Sequence, residues 1–243
     1  MAKRPKPGKC VHCLSDPVER DWDHVFPRSW YPDETPLNLA KWQIPSCIVC
    51  NRKYDKIESD FLSRVGLALD PDHPASRSVV QTALRSMKPS AGRDVRDSSM
   101  RLARGRKILA EMLQGAEIPL QATIPGMSER WGRALDEQVA VLVPAQSLEL
   151  ITKKIVRGIF YIEDGIFIEP PFVIDFFVLP EEDTGVWTQS LDQFGKIYAR
   201  PPGLFVRRAV VPEDNTSSIF EVVFWQQFRT YASVTNSSSE QRD

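Results

Sequence analysis

Four cysteines stand in two pairs, and the two members of each pair are separated by two residues. They are Cys10, Cys13, Cys47 and Cys50, and the chain has no others. This spacing lets two thiolates bind one tetrahedral ion, and two such pairs complete a four-sulfur zinc site. The alternative, a pair of disulfides, is typical of small cysteine-rich proteins in oxidising compartments. We therefore predict that the four cysteines bind a structural Zn²⁺.

Between and directly after the cysteine pairs lie side chains that suit hydrolysis of a phosphodiester bond. Asp23 and Asn51 offer hard oxygen ligands of the kind that Mg²⁺ and Mn²⁺ prefer. His24 carries an imidazole that titrates near neutral pH and can accept a proton from an attacking water. One divalent ion and one general base are enough for this reaction.

These side chains need a scaffold, and the sequence predicts a strand, a loop, a second strand and a helix in that order. The first strand covers residues 21–26 and stops at Pro27, and the second covers residues 38–44. Ser46 is predicted to cap the helix that follows. Cys47, Cys50 and Asn51 then share about a third of the helix circumference. Zinc and Asn51 are therefore expected to be neighbours.

The order and spacing of these residues resemble those of the HNH endonucleases, members of the His-Me-finger or ββα-metal superfamily. The resemblance covers roughly residues 8–62, about a quarter of the chain. It implies that His24 is the general base and that Asp23 and Asn51 bind a catalytic Mg²⁺ or Mn²⁺. It also implies that Asn38 steadies the loop that carries the base, although Asn38 lies farther before Cys47 than in the compact family pattern.

Charge is distributed unevenly although its total is close to zero, with 31 lysines and arginines against 32 aspartates and glutamates. Basic residues collect near the N-terminus and between residues 77 and 107, whereas the last third is rich in acids. Such an asymmetry indicates that the first half binds a polyanion. The predicted nucleic-acid contacts are Arg28, Arg52, Lys53, Arg101, Arg104 and Arg106.

The whole chain is predicted to be α+β. The predicted division is a nuclease domain with its zinc knuckle at 1–68, a basic helical connector at 69–117, a C-terminal α+β domain with a small, mostly antiparallel sheet at 118–235, and a disordered tail at 236–243. The connector contains two predicted helices, over residues 78–87 and 98–114.

The clearest element of the C-terminal domain is a helix that opens at Pro144, carries an isoleucine stripe at helical spacing and stops at Gly165. Strands are predicted over residues 172–179, 204–211 and 219–228, with a short helix over 186–194. No glycine-rich nucleotide-binding pattern or nucleophile elbow is present in this part of the sequence.

Several other ionisable residues receive no catalytic role from the sequence. His12 is predicted to be an exposed knuckle residue, because the cysteines already fill the four zinc positions. Glu58 is predicted to form an ion pair or a solvated face. Lys153, Lys154 and Arg157 lie on the polar side of the isoleucine stripe, where the sequence predicts either phosphate binding or solvation of the helix.

The function predicted from these residues is metal-dependent hydrolysis of DNA, with RNA as a further possible substrate. A bacterial restriction or anti-phage effector, gated through its C-terminal domain or by a partner protein, is the expected setting. The alternative is a non-catalytic zinc module that binds nucleic acid within a larger complex. Because the sequence has no signal peptide and no apolar run long enough for a bilayer, we expect a cytoplasmic protein without a membrane partner.

Overall fold

A computed structural model describes residues 4–119, 134–180, 183–212 and 214–237. Within these ranges the protein is a mixed α+β structure with five α-helices and three small antiparallel sheets. None of the described helices is long and apolar enough to cross a membrane. The predicted tail lies mostly outside the described residues, although Asn236 belongs to the last strand.

A hairpin and a long helix carry the second cysteine pair, and the first pair lies in the segment before the hairpin. Strand β1 (Arg20–His24) pairs with β2 (Gln43–Cys47), and helix α1 (Ile48–Ala68) follows at once. The second strand begins five residues later than predicted, because residues 36–39 form a turn instead. The helix cap is also different: the thiol of Cys47, and not Ser46, accepts the hydrogen bond that begins α1.

The basic connector contains the two predicted helices, α2 (Arg77–Met87) and α3 (Val95–Ala110). Helix α3 ends earlier than predicted, and the next residues form the short strand β3 (Met112–Gln114), which pairs with β4 (Val139–Val141). Arg64 of α1 is buried where these elements meet and is held by ion pairs to Asp60 and Glu111 and by the Leu142 carbonyl.

Helix α4 (Ala145–Asp164) confirms the strongest prediction for the C-terminal half. Pro144 precedes it, as predicted, and Gly165 ends it with a φ of +69°, a left-handed conformation that glycine adopts without a side-chain clash. The amide of Gly165 donates to the Tyr161 carbonyl, which satisfies one of the free carbonyls at the helix end.

Five antiparallel strands form the largest sheet, in the order β5, β9, β8, β7, β6. The strands are β5 (Phe172–Phe177), β6 (Lys196–Arg200), β7 (Leu204–Val211), β8 (Asp214–Phe224) and β9 (Phe228–Asn236). Helix α5 (Gly185–Phe194) connects β5 to β6. Helices α4 and α5 lie on opposite faces of this sheet. Thr152 of α4 contacts Thr230 of β9 at 2.9 Å, whereas Trp187 of α5 packs on the next residue, Tyr231. Alternate residues of a strand point to opposite faces, so each face of the sheet has one helix packed on it.

A sharp turn between β8 and β9 replaces the single strand predicted over residues 219–228. Trp225 and Gln226 both have positive φ, at 51° and 59°, which is uncommon for residues other than glycine. Trp225 is fully buried, and its indole N–H donates to the Trp30 carbonyl at 2.8 Å. Burial and this hydrogen bond therefore hold a turn that contains no turn-forming residue.

One hydrophobic core is shared by both halves of the chain. Val25 after β1, Phe61 of α1, Ile155 of α4 and Phe224 of β8 all belong to the same buried cluster. The division between the predicted nuclease domain and the C-terminal domain stays a prediction. The apolar surfaces of the two regions are nevertheless buried against each other.

Helix α4 lies very close to the end of β1, and Gly158 makes this approach possible. A Cβ atom on Gly158 would lie 2.7 Å from one methyl group of Val25 and 3.0 Å from the other. Val25 is buried and β-branched, so its side chain has little freedom to move away. Lys154 precedes Gly158 by one helical turn on the same face. The close approach therefore brings Lys154 next to Asp23, two residues before Val25.

Replacement of Gly158 by alanine is expected to destabilise the protein by forcing α4 away from β1. The matched control is Gly105→Ala in α3, where a new Cβ meets only ordinary contacts, at 3.4 Å and beyond. Both substitutions improve helix propensity by the same amount. The difference between the two free energies of unfolding therefore reports the cost of overpacking, which is about 1–3 kcal/mol. Urea unfolding of the two proteins measures this difference. Equal free energies of unfolding would show that the Gly158 contact is not tight.

Candidate active site and metal centre

The two cysteine pairs meet in space. Their four sulfur atoms all lie within 4.8 Å of one another. The sulfurs of Cys13 and Cys47 are 3.8 Å apart. A tetrahedral ion with Zn–S bonds of about 2.3 Å requires sulfur separations of about 3.8 Å. The four cysteines are therefore placed to hold a metal ion such as zinc.

The surroundings of the sulfurs favour thiolates bound to a cation. Backbone amides donate to two of them, from Cys47 to the Cys10 sulfur at 3.2 Å and from Cys50 to the Cys47 sulfur at 3.3 Å. Burial raises the pKa of Cys50, and neighbouring thiols raise it further. Burial also raises the pKa of Cys13, but hydrogen bonds with Ser15, Cys10 and Cys50 together outweigh it and lower that pKa to about 6. So crowded a set of thiols ionises fully only beside a positive ion.

His24, the predicted general base, lies at the end of β1 and is half-buried. The guanidinium Nε–H of Arg28 donates to its Nε2 at 2.8 Å, so this ring nitrogen is unprotonated. Burial and the charge of Arg28 lower the pKa of His24, while Asp23 acts in the opposite direction. The imidazole is therefore neutral at neutral pH, which is the form that a general base needs.

Asp23, the predicted metal ligand, points to the opposite face of β1 from His24, as strand alternation requires. Its side chain is only 6 % exposed. One carboxylate oxygen accepts a hydrogen bond from His12 Nε2 at 3.0 Å, and the other accepts one from Lys154 Nζ at 2.8 Å. Burial alone would raise the pKa of Asp23, but these two partners hold it below its ordinary value.

Lys154 also binds Glu58 of α1, so that four buried side chains form one group. We call His12, Asp23, Glu58 and Lys154 the buried ion cluster. The ammonium of Lys154 lies 5.2 Å from the ring centroid of Tyr54, which adds a cation–π contact. Burial raises the pKa of Glu58 to about 7, against the effect of Lys154. The Lys154 ammonium is thus held between two carboxyl groups, of which Asp23 is the more acidic.

The sequence predictions for this cluster were partly wrong. His12 is buried and is not an exposed knuckle residue, because its ring fills the space between Asp23 and Tyr54. Lys154 is 1 % exposed and neither solvates α4 nor lies open to phosphate. The ion pair predicted for Glu58 is confirmed.

The predicted Mg²⁺ or Mn²⁺ does not fit Asp23 and Asn51 in this arrangement. Both carboxylate oxygens of Asp23 are hydrogen-bonded, and the ammonium of Lys154 lies against one of them. A divalent ion at that oxygen would meet this positive charge at close range. Among the residues that the structure describes, only the four cysteines form a group of three or more His, Cys, Asp or Glu side chains close enough to share an ion.

The two asparagines predicted to belong to the active site, Asn38 and Asn51, do not take part in the contacts of Asp23 and His24 described above. Asn51 lies in the first turn of α1, and within the described part of the chain no hydrogen bond joins it to Asp23. Asn38 is exposed in the turn before β2. The residue of this segment that reaches His24 is Gln43, whose amide nitrogen lies 3.3 Å from His24 Nε2.

Two of the predicted nucleic-acid contacts line a basic pocket of about 590 Å³ between α1 and the start of α4. Arg52 and Lys53 share this pocket with Lys56, a residue that the sequence analysis did not select. None of these three cations forms an ion pair with a described residue, and no described acid lines the pocket. We call it the α1 basic pocket.

The connector arginines are arranged differently. Arg101 is paired with Asp97 and donates to the Arg85 carbonyl, and Arg104 donates to the Ser86 carbonyl. Both line a second pocket, of about 390 Å³, together with Glu58, Arg85 and residues of the loop that follows His24. Arg106 is exposed on α3. Two of the three predicted contacts therefore also fasten α3 to α2.

Comparison of the chain with protein-family models, with curated proteins and with solved structures gives no match. The geometry of the described residues is therefore the basis for any functional proposal.

The contact of Lys154 with Asp23 was not predicted, because the two residues are 131 positions apart and meet only through the packing of α4. One signal was present. Gly158 interrupts an otherwise strong helical pattern, and an isolated glycine inside a helix often marks a close approach to another element.

Proposed function

We propose that this protein is a phosphodiester hydrolase of the HNH type that cuts DNA, with β1, β2 and α1 as its ββα unit. The observation that carries the proposal is His24, a neutral imidazole with an unprotonated Nε2 at the end of the β1 strand. The four cysteines join the segment before β1 to the junction of β2 and α1, which suits a structural Zn²⁺. As part of the same proposal, a partner protein that binds the C-terminal half regulates the nuclease.

In the proposed reaction the oxygen of a water molecule attacks the phosphorus while His24 Nε2 accepts the proton of that water. The phosphorus–oxygen bond of the backbone then breaks, and the leaving oxygen takes a proton from solvent to become a hydroxyl group. The other product is a phosphate monoester, and His24 returns its proton to solvent. Arg28 holds Nε2 in the described structure. A backbone phosphate competes for the guanidinium through charge-assisted hydrogen bonds, so arrival of the substrate would free the base.

The direct test is incubation of zinc-loaded protein with supercoiled plasmid in Mg²⁺, in Mn²⁺ and in EDTA, with an RNA substrate in parallel. Nicked or linear plasmid is the expected result. Protein that binds the plasmid but leaves it intact in every condition would favour the alternative, a non-catalytic zinc module that binds nucleic acid.

The α1 basic pocket is expected to supply more of the DNA affinity than the connector arginines. Each phosphate neutralised changes the slope of log K against log salt by about 0.9. Glutamine at Arg52, Lys53 and Lys56 together should reduce that slope by about 2–3. The measurement is fluorescence anisotropy of a labelled duplex over a range of salt concentrations.

The matched control removes the same charge from the connector, through glutamine at Arg101, Arg104 and Arg106. Its expected effect is a slope change of about 1, since of these three arginines only Arg106 donates no hydrogen bond to another described residue. Equal changes in the two triple variants would mean that net charge, and not the pocket, determines binding.

A further inference from the structure

Lys154 brings a positive charge from the C-terminal half of the chain into the predicted nuclease centre. Its ammonium lies between the carboxylates of Asp23 and Glu58, from β1 and α1 respectively. Oxygen ligands from two elements that converge on one cation are what a divalent metal ion also requires. The lysine therefore fills a cation position at the residue to which the resemblance assigns the metal.

Burial excludes a direct catalytic role for this lysine. Its side chain is 1 % exposed, and those of Asp23 and Glu58 are 6 % and 11 % exposed. A DNA phosphate cannot reach an ammonium that is covered on all sides, so Lys154 does not stabilise the reacting group in place of a metal. Its effect on the candidate nuclease centre is to hold the Asp23 carboxylate and to keep other cations away from it.

We propose that α4 inhibits the candidate nuclease centre through Lys154, whose ammonium occupies the cation position at Asp23 and so excludes a divalent ion from it. The proposal rests on the proposed function, and it names the regulation of that same site. The contact that must open is the one between the Lys154 ammonium and Asp23, which lies beside the hydrophobic core that α1 and α4 share.

The test is Mn²⁺ binding to the full-length, zinc-loaded protein, measured by electron paramagnetic resonance of free Mn²⁺. Lys154→Met keeps most of the aliphatic stem and removes the charge, and it is expected to bind Mn²⁺ about tenfold or more tightly than the wild type. The matched control is Lys153→Met. Lys153 pairs with Glu149 within α4 and does not belong to the buried ion cluster, so this variant should bind as the wild type does.

A second substitution locates the ion. Adding Asp23→Asn to Lys154→Met should abolish the gain in Mn²⁺ affinity, because the freed carboxylate is then absent. If Lys154→Met does not fold without metal, the double variant Lys154→Met with Glu58→Gln takes its place, since it also replaces the second carboxyl group that faced the ammonium. A folded variant of either kind that binds Mn²⁺ no better than the wild type would overturn the proposal.

Plasmid cleavage by the same proteins separates this inference from the proposed function. Tighter Mn²⁺ binding together with faster cleavage by Lys154→Met supports both. Tighter binding with no cleavage by any variant supports exclusion of the ion by Lys154 but refutes the nuclease. A third outcome is that wild type and Lys154→Met cut at the same rate and bind Mn²⁺ equally well. That outcome supports the nuclease and refutes inhibition by Lys154.

Discussion

Cys47→Ala protein should lose its zinc and most of its folding stability. Structural zinc sites supply an apparent binding free energy of about 10–16 kcal/mol, which is comparable with the whole stability of a typical domain. Cys47 contributes twice, because it is one of the four metal-binding cysteines and its sulfur caps α1. We expect protein that aggregates or is digested rapidly by protease. Zinc content and thermal unfolding measure the two effects together.

Cys47→Ser distinguishes the two roles of this residue. A serine oxygen still caps a helix well, and loss of a cap costs only about 1 kcal/mol, but serine is a poor substitute for a thiolate on zinc. Cys47→Ser should therefore be nearly as unstable as Cys47→Ala. A zinc-free Cys47→Ala protein that unfolds cooperatively close to the wild-type temperature would refute a structural role for the metal.

His24→Ala should leave the fold and the zinc in place and remove cleavage. General-base catalysis is typically worth about 10²- to 10⁴-fold, so the cleavage rate should fall by about that factor. Arg28 and Gln43 lose a partner, but both lie where water can replace it, so the thermal unfolding temperature should change little. Single-turnover cleavage of plasmid at saturating protein measures the rate without a contribution from binding.

His73→Ala is the matched control for that experiment. His73 lies in the loop before α2, where its ring accepts the amide of Ala75, and it belongs to neither pocket nor to the buried ion cluster. Its removal should leave the rate unchanged. A folded, zinc-loaded His24→Ala protein that cuts at the wild-type rate would mean that the base lies elsewhere.

Local sequence patterns predicted most of the elements correctly. Helix α4 followed from a proline before it, a glycine after it and an apolar stripe between, and the cysteine spacing predicted that the four sulfurs would meet. The turn at Trp225 could not be predicted in this way. Neither Trp225 nor Gln226 favours positive φ, and the turn depends on burial of the indole against Trp30, 195 residues away in the sequence.

The candidate site shows the same limit. The position of His24 follows from residues near it in the sequence, since Arg28 and Gln43 come from the same loop and hairpin. The partners of Asp23 do not. Whether a carboxylate is open to a metal depends on every group packed against it, and one of those groups, Lys154, comes from a helix that the sequence assigned to another domain.

His12 lies between the two cysteines of the first pair and hydrogen-bonds Asp23 in the buried ion cluster. An ion on the cysteines fixes the backbone on both sides of His12, and so fixes the imidazole that holds Asp23. Coupling between two binding equilibria is reciprocal: whatever free energy zinc contributes to the order of Asp23, the ordered carboxylate returns to zinc. Release of Asp23 by Lys154 is therefore expected to weaken zinc binding, and loss of zinc is expected to weaken the hold of Lys154 on Asp23 by the same free energy.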